Sequence, residues 1–248
     1  MKPLRVAMWS GPRNISTAMM RAWENRGDCA VVDEPFYAHY LAHTGLDHPG
    51  REAVIAAGET DWRKVVARLT GPVPEGKAIF YQKHMTHHLL PHIARGWLGE
   101  LTHVFLIREP RKVLVSYLKS RAAVSAEDLG FVQQLEIFEY VREQRGAAPP
   151  VIDAGEFLKA PEAHLRTLCA LLGIAFTPRM LSWPPGPRAS DGVWAPHWYE
   201  GVYRSTGFES EREASAELPA QYRDLLAAVQ PSFETLFALR LRPVPQGD

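Results

Sequence analysis

Several things are scarce in this 248-residue chain, and each scarcity closes off a class of function. Cysteine occurs only at Cys29 and Cys169, far apart and in apolar settings. Two such residues make neither a disulfide framework nor a zinc knuckle, and they read as reduced core side chains. Net charge is absent, because 28 Lys and Arg balance 28 Asp and Glu. No global field favours nucleic acid or an anionic membrane, so an anionic ligand must be met by local Arg and Lys. No apolar run approaches the ~20 residues of a membrane span, and the opening MKPLRVAMWS is too short an apolar stretch for a secretory signal. The cytoplasm is therefore the expected compartment. The pairs His84/His88 and His88/His92 have i,i+4 spacing but no HExxH signature, so no metal is expected. His39, His43 and His48 fall in a polar stretch and read as solvated.

What is present is ordinary globular composition, with 46% apolar and 23% charged residues, enough for one sizeable domain over residues 1–248. Strand-length apolar runs alternate with helical patterns. Strands are expected at Leu4–Trp9, Cys29–Val32, Ala78–Gln82, Thr102–Ile107 and Val151–Asp153. Helices are expected at Ile15–Arg26, near 51–57, and at Trp62–Leu69, His88–Gly96, Pro110 to about Ala123, Ala126–Arg145, Pro161–Leu172 and Leu218–Leu239. Residues 36–60 read as an irregular insert, and 174–210 as an aperiodic segment rich in Pro, Gly, Trp and Tyr. The alternation predicts an α/β fold, a parallel sheet with helices on both faces. In such sheets ligands bind at the carboxyl ends of the strands. Those ends carry Ser10–Arg13, Asp33–Glu34, Lys83–His84 and Arg108.

The segment MWSGPRNIST, Met8–Thr17, joins the first strand to a helix through Gly11 and Pro12. Backbone N–H groups and the helix dipole at such a turn can hold phosphate, and Arg13 adds a cation. It is not a Walker A loop, because the second Gly and the Lys are missing. An ordinary strand-to-helix turn is the bland alternative. Arg108 ends the strand THVFLI, and Ser116 follows eight residues later, about 9 Å into a helix that starts at Pro110. An Arg fork and a helix hydroxyl can grip one phosphate together. Alternatively, they are a surface Arg and a Ser bonded to its own backbone.

Together these segments resemble the sulfotransferases. SGPRNIST resembles that family's phosphosulfate-binding loop, P-[KR]-[ST]-G-T-[ST], and places Ser10, Gly11, Pro12, Arg13, Asn14, Ile15, Ser16 and Thr17 around the donor. FLIREPRKVLVSYLK is similar to the second signature, in which the Arg and Ser at Arg108 and Ser116 bind the nucleotide's 3′-phosphate. KHMTHHLLP resembles the segment K-T-H-x-P-x-x-L-L-P and sets His84 at the catalytic His. DEPFYAHYL resembles the K-E-x-x-F-F segment of carbohydrate sulfotransferases and offers Glu34 as the base instead. The resemblance covers about residues 5–120, and VIDAGEFLKAPEAHLRTLCALLGI also looks like a family segment. It implies a three-layer P-loop nucleotide-binding fold, 3′-phosphoadenylyl sulfate as donor, adenosine 3′,5′-bisphosphate as leaving product, no metal, and a small-molecule acceptor.

This chain departs from the pattern in three places. Ile15 replaces the loop Gly, and a Cβ there disfavours positive φ. Gln82 stands where a Lys precedes the His by two, with Lys83 shifted by one. The segment R-K-G-x-x-G-D-W is absent. Arg13 and the loop N–H groups are placed to stabilise the leaving phosphate, and Glu34 or His84 to take the acceptor's proton. Trp183, Trp194, Trp198, Tyr199 and Tyr203 either line an acceptor pocket or pin a tail to the sheet. Two competing readings remain. One is a P-loop kinase or NTP hydrolase, which metal-dependent ATP turnover would mark. The other is a nucleotide-binding module without transfer activity.

Overall fold

The computed structural model describes residues 3–119, 124–210 and 218–243. Five parallel strands, β1 (Leu4–Ser10), β2 (Cys29–Asp33), β3 (Ile79–Met85), β4 (Thr102–Ile107) and β5 (Val151–Asp153), form one sheet in the order β2-β3-β1-β4-β5. The register sets Met8 against Lys83 and Trp9 against His84. Twelve α-helices accompany them among the described residues. They are α1 (Ser16–Glu24), α2 (Tyr37–Thr44), α3 (Arg51–Ala57), α4 (Trp62–Thr70), α5 (Pro110–Tyr117), α6 (Ala126–Leu129), α7 (Phe131–Arg145), α8 (Ala154–Lys159), α9 (Pro161–Leu171), α10 (Ala195–Trp198), α11 (Glu200–Arg204) and α12 (Arg223–Ala238).

Side chains alternate across a strand, and both faces of this sheet are covered. Ala7 and Trp9 of β1, with Phe105 and Ile107 of β4, pack under α4, α5, α7 and α12 through Val65, Leu114, Phe138 and Phe233. Val6, Met8, Val104 and Leu106 face the other way, against Met19, Met20 and Trp23 of α1 and Phe157 and Leu168 of α8 and α9. The central strands are therefore apolar on both sides, as in buried parallel sheets. Among the described residues no helix is long and apolar enough to cross a membrane.

Three expectations change. The insert at 36–60 contains the short helix expected near 51–57, as α3, but is not otherwise irregular: α2 precedes it, and both pack with Trp194, Ala195 and Tyr199 into a third apolar cluster. There is no helix over His88–Gly96. Short 3-10 turns occupy Thr86–His88 and Gly96–Glu100, because Pro91 disfavours helical backbone at Leu90 and cannot donate a helical N–H. The long helix over Ala126–Arg145 is broken by Gly130, which has φ 71° and separates α6 from α7. A Cβ at Gly130 would stand 2.5 Å from Thr86 Oγ1, so that close approach requires glycine. The far end of the helix expected from Pro110 lies outside the described residues.

Candidate active site

At the carboxyl ends of β1 and β4 the chain turns through Gly11–Ile15 into α1. The turn is fixed from two sides. Asn14 Nδ2 donates to the Leu106 carbonyl at 3.1 Å, and Arg108 Nη1 donates to the Arg13 carbonyl at 2.8 Å. Arg13 Nε in turn donates to Ser116 Oγ at 3.0 Å, joining the loop to α5. Arg13 and Ile15 both hold left-handed backbone, with φ of 61° and 54°. For a β-branched residue this is an outlier. The Cβ at Ile15 therefore does not stop the loop from taking the shape a glycine would allow. No side chain caps α1 at Ile15, and the first N–H groups of a helix have no intrahelical acceptor. Burial, and then the neighbouring Arg108 guanidinium, pull the Arg13 pKa down. Two cations converge beside a helix N-terminus, an arrangement that an anion relieves.

Pro12 to Thr17, Arg108 and Ser116 line one end of a cleft of about 320 Å³. Ser10 and Gly11 do not. Ser10 is buried behind the loop, and Gly11 passes so close to the Leu129 carbonyl that a Cβ would stand 2.5 Å from it.

The other end is lined by Glu34, Tyr37, His48, Lys83, His88, Trp198 and Tyr199, among others. Glu34 leaves β2 with φ 40°, a strained backbone held by its N–H on the Lys83 carbonyl at 2.9 Å. Lys83 Nζ sits between Glu34 Oε1 at 2.6 Å and Asp33 Oδ1 at 2.8 Å, and donates to the Tyr199 hydroxyl at 2.7 Å. That hydroxyl donates to Asp33 Oδ2 at 2.7 Å and accepts from Trp194 Nε1 at 3.2 Å. Burial pulls the Lys83 ammonium down, but Asp33 and Glu34 outweigh it, so it titrates well above the ordinary lysine range. Burial raises the Glu34 carboxyl despite the opposing pull of Lys83. His88 stacks on Tyr37, centroids 4.7 Å apart, with Nδ1 3.9 Å from Glu34 Oε2. Burial and the neighbouring His87 hold its pKa well below the usual value, so it is neutral.

His84 is not at this cleft. It is buried on the opposite face of β3, stacked on Trp9 at 4.3 Å and 3.2 Å from Gln82 Oε1. Burial, then His103, lowers its pKa to about 3. Lys83 takes the cleft position instead, because the two-residue period of a strand sends Tyr81, Lys83 and Met85 one way and Gln82 and His84 the other. That period, read off YQKHM, could have assigned Lys83. His39 and His48 are buried rather than solvated. The aromatic segment divides its work: Trp183 packs in the core and donates to Ser205 Oγ at 3.2 Å, whereas Trp198 and Tyr199 line the cleft.

Residues 4–240 match the family described as the sulfotransferase domain. The chain belongs to that family. Two Arabidopsis thaliana proteins, the branched-chain-amino-acid aminotransferase-like proteins 2 and 1, are each 37% identical to it, over 228 and 235 residues. The matches cover 92% and 95% of this sulfotransferase-family chain but only 40% and 42% of those proteins, so the chain spans about two fifths of these curated relatives. The sulfotransferase domain from the Synechococcus PCC 7002 olefin synthase superposes with a TM-score of 0.59 at 14% identity, covering 97% of this chain and 96% of that one. The sulfotransferase domain from the curacin biosynthetic pathway gives 0.53 at 15%, covering 94% and 98%. At that identity the likeness is one of fold, the P-loop-like α/β sheet. The family supports sulfuryl transfer as the general chemistry.

Proposed function

We propose that this domain, acting as one unit over residues 1–248, transfers a sulfuryl group from 3′-phosphoadenylyl sulfate to a hydroxyl or amine of a small-molecule or carbohydrate acceptor. The observation that carries the reading is a single cleft lined both by the Pro12–Thr17 loop with Arg108 and Ser116 and by the Glu34–Lys83 pair. Arg13 and the N–H groups from Asn14 to Thr17 hold the 5′-phosphosulfate, and Arg108 with Ser116 holds the 3′-phosphate. The bond between sulfur and the bridging phosphate oxygen breaks, and its electron pair stays on that oxygen. Arg13 and the helix N-terminus stabilise the charge that appears there. The acceptor oxygen or nitrogen bonds to sulfur, and its proton passes to Glu34. A carboxylate with a raised pKa is a stronger base than an exposed one, and general base catalysis contributes about 10²–10⁴-fold. Lys83 holds Glu34 in place and, tied to Asp33, remains compensated when Glu34 takes the proton. Positioning and charge stabilisation otherwise dominate, as in phosphoryl transfer.

Calorimetric titration with adenosine 3′,5′-bisphosphate, beside ADP and ATP with Mg²⁺, tests this reading. Metal-free binding of the bisphosphate with much weaker binding of the other two is expected. Metal-dependent ATP binding without bisphosphate binding would overturn it in favour of a kinase or NTP hydrolase.

A further inference from the structure

A histidine cluster lies outside the cleft and has no part in the chemistry above. His39 and His43 sit one turn apart on α2, so they share a face. His92 comes to them from the segment beyond β3, 53 residues from His39. Each of the three offers a ring nitrogen, and these nitrogens all lie within 4.8 Å of one another. His39 Nε2 and His92 Nε2 are 2.9 Å apart. The His43 and His92 rings are 4.2 Å apart, and those of His39 and His43 5.8 Å. His39 is buried, while His43 and His92 are exposed.

The His39 ring is already set as a ligand. Its Nδ1 lies 2.6 Å from the Thr60 carbonyl oxygen. A carbonyl can only accept, so Nδ1 carries the hydrogen and the neutral ring presents the Nε2 lone pair toward His92. An outer hydrogen bond of this kind, from the far ring nitrogen to a backbone carbonyl, is the usual support of a metal-bound histidine. In the metal-free protein His92 Nε2 must supply the hydrogen between the two rings. A cation placed there takes both lone pairs, and the His92 hydrogen moves to Nδ1.

We infer that His39, His43 and His92 form a three-nitrogen site for a divalent transition ion of the zinc class, with a fourth position open to water. Two nitrogens at ~2.0–2.1 Å from a tetrahedral ion stand ~3.3–3.4 Å apart, so the His39–His92 pair opens slightly and the exposed His43 ring turns inward. Imidazole donors suit zinc, copper and nickel, and the absence of carboxylate and carbonyl ligands disfavours calcium and magnesium. Arg63, held over the Trp62 ring at 4.5 Å, adds a repulsive charge nearby. From the sequence, the i,i+4 spacing of His84, His88 and His92 without an HExxH signature gives no metal site. The fold keeps only His92 of those and supplies the other two from α2.

The site clamps two elements that build the acceptor end. α2 begins three residues after Glu34, and its other side carries Tyr37 and Tyr40 against His88 and His87. His92 lies on the segment that continues from Lys83 through those histidines. A bound ion therefore ties the two walls of the cleft together from outside. The inference does not depend on sulfuryl transfer.

The test is titration of chelator-stripped protein with Co²⁺, followed by its visible d–d absorption, with Zn²⁺ as competitor. One equivalent of tetrahedral Co²⁺, displaced by Zn²⁺, is expected. His43→Ala and His92→Ala, both at exposed positions, should each weaken binding at least about tenfold, the loss produced even by an outer partner. The double variant should abolish it and remove any Zn²⁺-induced rise in Tm. The double variant's far-UV circular dichroism and its Tm without metal, unchanged from the parent protein, report that the fold is intact. Absence of a Co²⁺ spectrum in the parent protein, or an undiminished one in the double variant, overturns the site.

Discussion

The two ends of the cleft are built in opposite ways. The donor end is local: Pro12–Thr17 and Arg108–Ser116 are two short strand–turn–helix pieces, joined by the Arg13–Ser116 and Arg108–Arg13 bonds. The acceptor end is assembled from far apart. Asp33, Lys83 and Tyr199 meet in one hydrogen-bonded knot, with Tyr199 166 positions after Asp33 in the sequence. The difference lies in how charge is managed. The loop end, proposed to hold the donor, gathers cations beside a helix N-terminus, which suits a mobile anion. The acceptor end buries its charges and compensates them internally. Damage to the first should therefore appear in ligand binding, and damage to the second in turnover and folding.

The largest expected effect is at Glu34. Glu34→Gln removes the proposed base while keeping the shape, so transfer should slow by about 10²–10⁴-fold, with bisphosphate affinity unchanged in calorimetry. The pH profile sharpens the assignment. Burial raises the Glu34 pKa, and the base works as the carboxylate. Activity should therefore be lost as pH falls through a value above the ordinary ~4.3 of a glutamate, and the variant should lose that acid limb. A variant that still turns over at the parent rate would move the base elsewhere in the cleft.

Next comes Lys83. Lys83→Met leaves Asp33 and Glu34 buried without their cation, and breaking a buried pair from one side costs about 3–5 kcal/mol. Urea denaturation should show that loss near neutral pH. Removing Lys83 raises the Glu34 pKa further in the folded state. A group with a raised folded pKa adds stability below its unfolded value and loses it as pH rises. The deficit should therefore narrow on acidification. A loss under about 1 kcal/mol would mean that the knot is solvated.

The same contrast explains why some of the fold and site is legible in the sequence and the rest is not. The sheet, its two covered faces and the loop after β1 can be read there because strand and helix periods and the turn are local signals. Arg13, Arg108 and Ser116 need only two short segments. Lys83 is placed at the strand end but not chosen over His84, because motif spacing points one residue on, to His84, while the strand's alternation points to Lys83. Tyr199 and the divided role of the aromatic segment depend on a long-range fold-back that no local period encodes. Pro91 is a readable objection to a helix over His88–Gly96, and Gly130 to an unbroken helix after Ala126.

A smaller effect is expected at the donor end. On the proposed assignment Arg108→Ala removes one fork from the 3′-phosphate, and a charged hydrogen bond contributes about 1.5–3 kcal/mol. That corresponds to a loss of about ten- to a hundredfold for the bisphosphate, with a much smaller loss for the 3′-hydroxyl nucleotide. Stability should fall less than in Lys83→Met. Equal losses for the two nucleotides would take Arg108 away from the 3′-phosphate.

The smallest expected effect is at Ile15, where the donor end carries its strain. Left-handed backbone costs a non-glycine residue about 1–2 kcal/mol, and Ile15 holds it at φ 54°. Ile15→Gly removes that cost but adds about 0.5–1 kcal/mol of chain entropy and gives up the side chain's contact with the core around α1. These terms nearly cancel, so denaturation should place the variant within about 1 kcal/mol of the parent, with bisphosphate affinity preserved. An ordinary partly buried isoleucine would lose more than that on truncation to glycine, since most of its burial term of about 1.5–3 kcal/mol would go uncompensated. A loss of that size would show that the loop relaxes out of the left-handed shape in solution, and that α1 does not present its N-terminus to the cleft as the geometry requires.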